Sequence, residues 1–197
     1  MGTIGQTGYH HGNLRRTVMD AALRAIEESG PTGWSLRELA RRAGVSHAAP
    51  AHHFGDKAGL LTAVAAEGYA ALADELERAG DDFAEAGIAY VRFAVTRRAY
   101  WAVMFRPELY RADDADLVAA RTRSRAVLVR GARDTAGSPE RERPVMLAAW
   151  SLAHGFAALW LDGAFPEAAA GDDRDAEALA RAVLRTAAEG IGALPAD

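Results

Sequence analysis

Apolar residues recur three and four positions apart along almost the whole chain, and no stretch alternates with period two over a strand's length. The pattern predicts an all-α protein. Leu14, Val18, Ala21, Ala22, Ala25 and Ile26 give a first helix, from about Gly12 to Ser29, one apolar face, and Gly30-Pro31 ends it. Ser35-Leu36-Arg37-Glu38 reads as a capping box, in which the Ser35 hydroxyl takes the Glu38 amide and the Glu38 carboxylate reaches back. Leu36, Leu39, Ala40 and Ala43 then bury a helix of about two turns. Gly44 suits the left-handed residue that stops it, Val45 plugs the core, and Ser46 caps a third helix from His47 to about Phe54.

A long fourth helix, begun near Gly55-Asp56, packs through Leu60, Leu61, Val64, Tyr69, Leu72 and Leu76 as far as Gly80-Asp81. Further helices are predicted at about 81–96, 98–105, 114–135, 140–161 and 173–191, parted by Arg106-Pro107, Gly137-Ser138-Pro139 and the stretch 163–171. The expected organisation is a small three-helix head (1–57, with its motif at 35–54) joined by the long helix to a helical body (58–197).

Charge separates the two parts. The chain has 197 residues and a net charge of −4, yet residues 1–60 carry seven Lys/Arg against five acids, which leaves +2 on the head and −6 on the rest. Five of the six His also lie in that head, so only the head suits a polyanion. The chain has no Cys, which excludes a disulfide scaffold, thiolate metal sites and cysteine nucleophiles. HExxH pairs, nucleophile elbows and phosphate-cradling Gly loops are missing as well, so a helical enzyme using a cavity of the body is the weaker alternative and no catalytic residue is assigned. His47, His52 and His53 do not share a helical face at i, i+4, and neither a metal nor a cofactor is expected. The most apolar stretch, Val145 to Leu161, is interrupted by Ser151 and His154 and reads as a buried helix; with no leader-like start, a cytoplasmic protein without a membrane partner is expected.

Two short helices joined through Ala43-Gly44-Val45-Ser46 make a helix-turn-helix, whose second helix can enter the DNA major groove. The text Leu36-Arg37-Glu38-Leu39-Ala40-Arg41-Arg42-Ala43-Gly44-Val45-Ser46, followed by His53-Phe54-Gly55-Asp56-Lys57 and Leu60-Leu61, resembles the TetR family of bacterial transcriptional repressors. Tyr9-His10-His11-Gly12-Asn13-Leu14-Arg15 and Trp150-Ser151-Leu152-Ala153-His154-Gly155 look like a subgroup with a Trp-x-x-x-His-Gly signature in its regulatory domain. The resemblance implies a homodimer that offers two recognition helices to a near-palindromic operator, with a pocket in the body whose small-molecule ligand loosens the grip on DNA. An activator or a ligand-independent regulator stays open.

On that reading Ser35 offers backbone amides to a phosphate and Lys57 contacts the backbone of a flanking nucleotide. Ser46 opens the recognition helix; His47, Ala48, Ala49 and His52 face bases, and His53 sits beside them in the motif. Arg15, with Arg16, His10 and His11, forms a mobile basic arm. At Ala51 many family members have a Tyr that touches a phosphate, a role His52 can partly fill, and Pro50 falls in the first turn of the helix. Phe54 is expected in the core.

The candidate ligand pocket draws on the body's aromatic store: Tyr90, Phe93, Tyr100, Trp101, Met104, Phe105, Trp150 and His154, with Tyr90, Tyr100, Trp150 and His154 as its polar tips. His154 reads equally as a core histidine satisfied by a neighbour. Helices near 140–161 and 173–191 carry Ala148, Ala153, Ala157, Ala178, Ala182 and Gly190, small residues suited to a four-helix interface with a second copy.

Overall fold

The computed structural model describes the backbone of residues 7–166 and 173–192 and the side chains of 14–166 and 174–190. Within these residues every regular element is helical: α1 (Thr7–Ser29), α2 (Leu36–Ala43), α3 (Ala49–Phe54), α4 (Lys57–Arg78), α5 (Phe83–Thr96), α6 (Arg98–Met104), α7 (Ala115–Ala136), α8 (Pro139–Leu161) and α9 (Asp173–Gly192), with a 3-10 turn at Pro107–Leu109. The chain divides into two compact units, residues 1–68 with 98–118 and residues 69–97 with 119–197. That division differs from a break at 57/58. The first half of α4 goes with the head, and so do α6 and the segment that follows it.

In the first unit α1 packs through Val18, Met19, Ala22, Ala25 and Ile26, all almost fully buried, against α2, α3 and α6. Its heptad-like apolar stripe dictates this. The Glu38 amide donates to the Ser35 hydroxyl at 3.2 Å and starts α2. At the other end Gly44 takes φ 67°, which lets the Val45 amide reach back to the Ala40 carbonyl and seals the helix. The capping box is only half made, because the Glu38 carboxylate accepts from Arg42 one turn on, at 2.7 and 3.1 Å, instead of returning to Ser35. Val45 is half-buried.

The third helix starts two residues later than its Ser46 cap predicts. A turn closed by the Ala49 amide on the Ser46 carbonyl, at 3.0 Å, comes first, and Ala48 flanks the helix without a side-chain cap. Pro50 sits in its first turn, where the missing amide has no partner to lose. Asp56 then caps α4, its Oδ1 accepting the Gly59 amide at 2.8 Å.

In the second unit α5 is the central helix, with Ile88, Ala89, Val91, Phe93, Ala94 and Val95 nearly inaccessible to solvent. Helices α8 and α9 pack against it; α8 buries Ala153, Phe156, Ala157 and Trp160, α9 buries Ala176, Ala180 and Leu184, and Val145 of α8 joins Ala132 and Ala136 of α7. The Glu85 carboxylate receives Arg181 and Arg185 from α9. Ala153 and Ala157 are therefore spent on their own chain, which corrects their expected place in an interface between copies; Ala148, Ala178, Ala182 and Gly190 are exposed.

Candidate nucleic-acid interface and ligand cluster

The turn after α2 and the late start of α3 decide which residues of 46–54 meet solvent. Ser46, His47, Ala48, Ala51 and His52 are exposed, whereas Ala49 and Phe54 are 5% and 8% exposed and Pro50 is buried with them. Ala49 is thus a correction: it packs into the head and cannot face a base. His53 is half-buried, its ring 5.3 Å from that of His52 and 6.3 Å from Phe54. Ser35 is exposed at the amide end of α2.

The basic arm is also corrected for the residues that can be seen. Arg15 and Arg16 lie within α1, which begins at Thr7, and the side chains of His10 and His11 lie outside the described residues. Arg15 holds its guanidinium 5.2 Å above the Phe54 ring. Arg16 pairs with Asp20 at 2.5 Å and with Glu67 at 2.7 Å. Lys57 turns inward: its Nζ donates to the Trp34 carbonyl at 2.6 Å and the Thr32 carbonyl at 3.0 Å, and lies 4.1 Å from the centre of the Trp34 ring. Burial pushes its ammonium below the ordinary lysine range.

Sequence reasoning passed over Arg24, Arg37 and Arg41, which are exposed on α1 and α2. Arg24 and Arg41, with Ala21, Glu28 and Arg42, line a groove of about 360 Å³. The signal was present as charge at i, i+4 on α2, but the count of head charges did not single it out.

The candidate ligand residues fall into two groups. In the second unit Tyr90, Trp150 and His154 meet: the Tyr90 oxygen lies 2.8 Å from His154 Nδ1 and accepts from Trp150 Nε1 at 3.4 Å. The direction of the Tyr90–Nδ1 hydrogen bond follows the imidazole tautomer, since the phenol oxygen can donate to Nδ1 or accept from it. Burial keeps His154 below the ordinary histidine value and raises Tyr90 above the ordinary tyrosine value, so both stay neutral near pH 7. Trp150 is 43% exposed, and Phe93, at 1%, belongs to the α5 core. On the same unit Phe156 and Trp160 stack with ring centres 6.2 Å apart, and Phe165, a residue the sequence did not mark, lies tilted 5.3 Å from Phe156.

Tyr100, Trp101, Met104 and Phe105 lie in the first unit. The rings of Trp101 and Phe105 are 4.8 Å apart, Met104 is fully buried, and the Tyr100 hydroxyl donates to Glu67. Among the described residues no group of three or more His, Asp or Glu is placed to hold a metal ion.

Residues 83–187 match the family described as tetracyclin repressor-like, C-terminal domain, and residues 18–64 match bacterial regulatory proteins, tetR family. The HTH-type transcriptional regulator BetI of Burkholderia thailandensis is 47% identical over 49 residues, which span 25% of this chain and 25% of that protein. Solved structures with a similar fold include two from Rhodococcus. A protein of unknown function from Rhodococcus sp. RHA1 has a TM-score of 0.73 at 32% identity, covering 95% of this chain and 97% of its own. A bacterial regulatory protein in the tetR family from Rhodococcus RHA1 has a TM-score of 0.68 at 22% identity, covering 92% and 98%.

Proposed function

The chain belongs to the tetR family of bacterial regulatory proteins and is a DNA-binding transcriptional regulator, and we propose that it acts as a homodimeric repressor that a small apolar or aromatic ligand releases from a near-palindromic operator. The observation that carries the DNA side is the exposure of His47 and Ala48 in the turn and of Ala51 and His52 on α3, while Ala49, Pro50 and Phe54 of the same helix are buried. His47 and His52 donate to or accept from base edges, the Ala48 methyl packs on a thymine methyl, and the first amides of α2 at Ser35 take a phosphate. Ala51 has no hydroxyl for the phosphate contact that a Tyr would make, and the neighbouring His52 supplies a polar tip in its place.

The second copy is supported by α8. It is long and apolar enough to cross a membrane by length and composition, and 28% of its most apolar 18-residue stretch is buried within the chain. Leu147, Trp150 and Leu159 are exposed along it. Covering that face with α8 and α9 of a second copy removes it from water and gives two recognition helices, which must stand about 34–36 Å apart to enter successive major grooves. Ligand control is supported by the neutral Trp150–Tyr90–His154 cluster, which offers hydrogen bonds beside aromatic surface without a charge. A ligand releases DNA only by binding the non-operator conformation better, and operator then weakens the ligand by the same factor.

Selection of duplexes from a random-sequence pool on the purified chain tests this reading. The expected product is a two-half-site sequence bound by two copies, released by compounds that raise the chain's melting temperature. Failure to enrich any sequence overturns the DNA-binding role, and a single copy per duplex overturns the dimer.

A further inference from the structure

The loop between α1 and α2 must satisfy its backbone carbonyls without help from a helix. Two of them, at Thr32 and Trp34, receive one side chain, the Lys57 ammonium, at 3.0 and 2.6 Å. Its third face looks at the Trp34 ring, 4.1 Å from the centre, and Trp34 itself is 5% exposed. An ammonium has three donors, and here two carbonyls and a π face take them up. Trp34 immediately precedes the Ser35 cap of α2, and Lys57 is the first residue of α4. The contact therefore closes a ring over 23 positions that contains α2, the turn and α3 entire.

We propose that Lys57 is a positioning residue, a staple across the two ends of the helix-turn-helix, that serves operator recognition by fixing α2 and α3 rather than by holding a phosphate. The proposal rests on the DNA-binding reading only for its second half, since the staple exists without DNA. With the ammonium withdrawn, the Thr32 and Trp34 carbonyls lose their donor, the Ser35 cap is held only by its own turn, and the fraction of heads competent to bind falls.

The test compares the full chain with Lys57→Met and Lys57→Arg. Without DNA, Lys57→Met is expected to speed hydrogen exchange severalfold at the Glu38 and Leu39 amides, which bond to Ser35. With a duplex enriched on the wild-type chain, its affinity is expected to drop about tenfold while the slope of log affinity against log salt holds, and an unrelated duplex is expected to bind nearly as before. Lys57→Arg keeps the charge, the donors and the stacking surface and is expected to restore both readouts. Loss of helical content in Lys57→Met with Lys57→Arg folded also supports the staple, because a phosphate ligand at the surface is not needed to fold. Unchanged amide exchange overturns the proposal, and so does a salt slope shallower by about one with all duplexes weakened alike, the mark of a lost phosphate contact. If the wild-type chain enriches no duplex, the DNA-binding reading fails and the exchange result still decides the staple.

Discussion

Replacing Tyr100 by Phe removes one oxygen and keeps the ring, so it isolates what the hydroxyl does. That O–H donates to Glu67 Oε1 at 2.5 Å, and the same oxygen accepts from Arg16 Nη1 at 2.7 Å, so one carboxylate of α4 ties α6 to α1. A hydrogen bond to a charged group contributes about 1.5–3 kcal/mol. Glu67 keeps Arg16 after the substitution and its side chain is 34% exposed, so water replaces part of the lost bond. The expected loss is about 1–2 kcal/mol, a drop in melting midpoint of roughly 2–8 °C for a chain of this size. Burial, then the Glu67 carboxylate, pushes the Tyr100 hydroxyl up from 10.0 to about 12. The folded state favours the protonated form, so this stabilisation is whole below pH 10 and is lost as pH climbs through about 12. Thermal unfolding followed by circular dichroism, at neutral pH and across that alkaline window, checks both points. The variant is expected to start lower and to lose less between pH 10 and about 12. An unchanged midpoint together with a lost response to a ligand that binds the wild type refutes the reasoning and puts the hydroxyl in the ligand pocket.

His154→Gln keeps a hydrogen-bonding partner for Tyr90 and removes a titration. The histidine is held below its ordinary 6.5 by burial, so its contribution to stability is present above pH 6.5 and lost as pH falls below it; urea midpoints are expected to fall less in the variant than in the wild type over that acid range. Ser35→Ala deletes the acceptor of the Glu38 amide and is expected to cost about 1 kcal/mol in denaturant unfolding and to weaken binding to a selected duplex. Leu147→Glu with Leu159→Glu places charge on the exposed apolar face of α8, and light scattering is expected to show a shift from dimer to monomer at equal concentration.

The helices and their breaks were legible because their causes are local: a 3.6-residue apolar period, a Ser at the start of α2, and a glycine where φ must turn positive. The direction of α3 was not. The sequence offers Ser46 as a cap, and a helix counted from His47 points Ala49 outward. The turn from Ser46 to Ala49 delays the helix by two residues, about 200° of rotation, and Ala49 becomes core. The contacts of Lys57 were out of reach for a related reason. Its place at the start of α4 was read correctly, but its four-carbon stem reaches carbonyls 23 and 25 positions earlier, and only the fold brings those near. Tyr100 is the same case, since a count of aromatics does not say that a carboxylate on α4 will claim its hydroxyl.

These ties also change what the charge of the head means. Seven Lys and Arg in residues 1–60 suggested attraction to a polyanion. Arg16 is held by Asp20 and Glu67, Arg42 by Glu38 and Glu28, Lys57 by two carbonyls, and Arg15 lies over Phe54. Among the described residues of the head, Arg24, Arg37 and Arg41 are the cations left exposed outside such contacts. Each phosphate neutralised adds about 0.9 to the salt slope, so a head that spends most of its cations on itself gains little affinity from charge alone. Affinity must then come from the fit of α2 and α3 to one sequence, and that fit depends on the internal contacts that use up the charges. The same guanidinium and ammonium groups that a count assigns to DNA hold in place the surface that reads it.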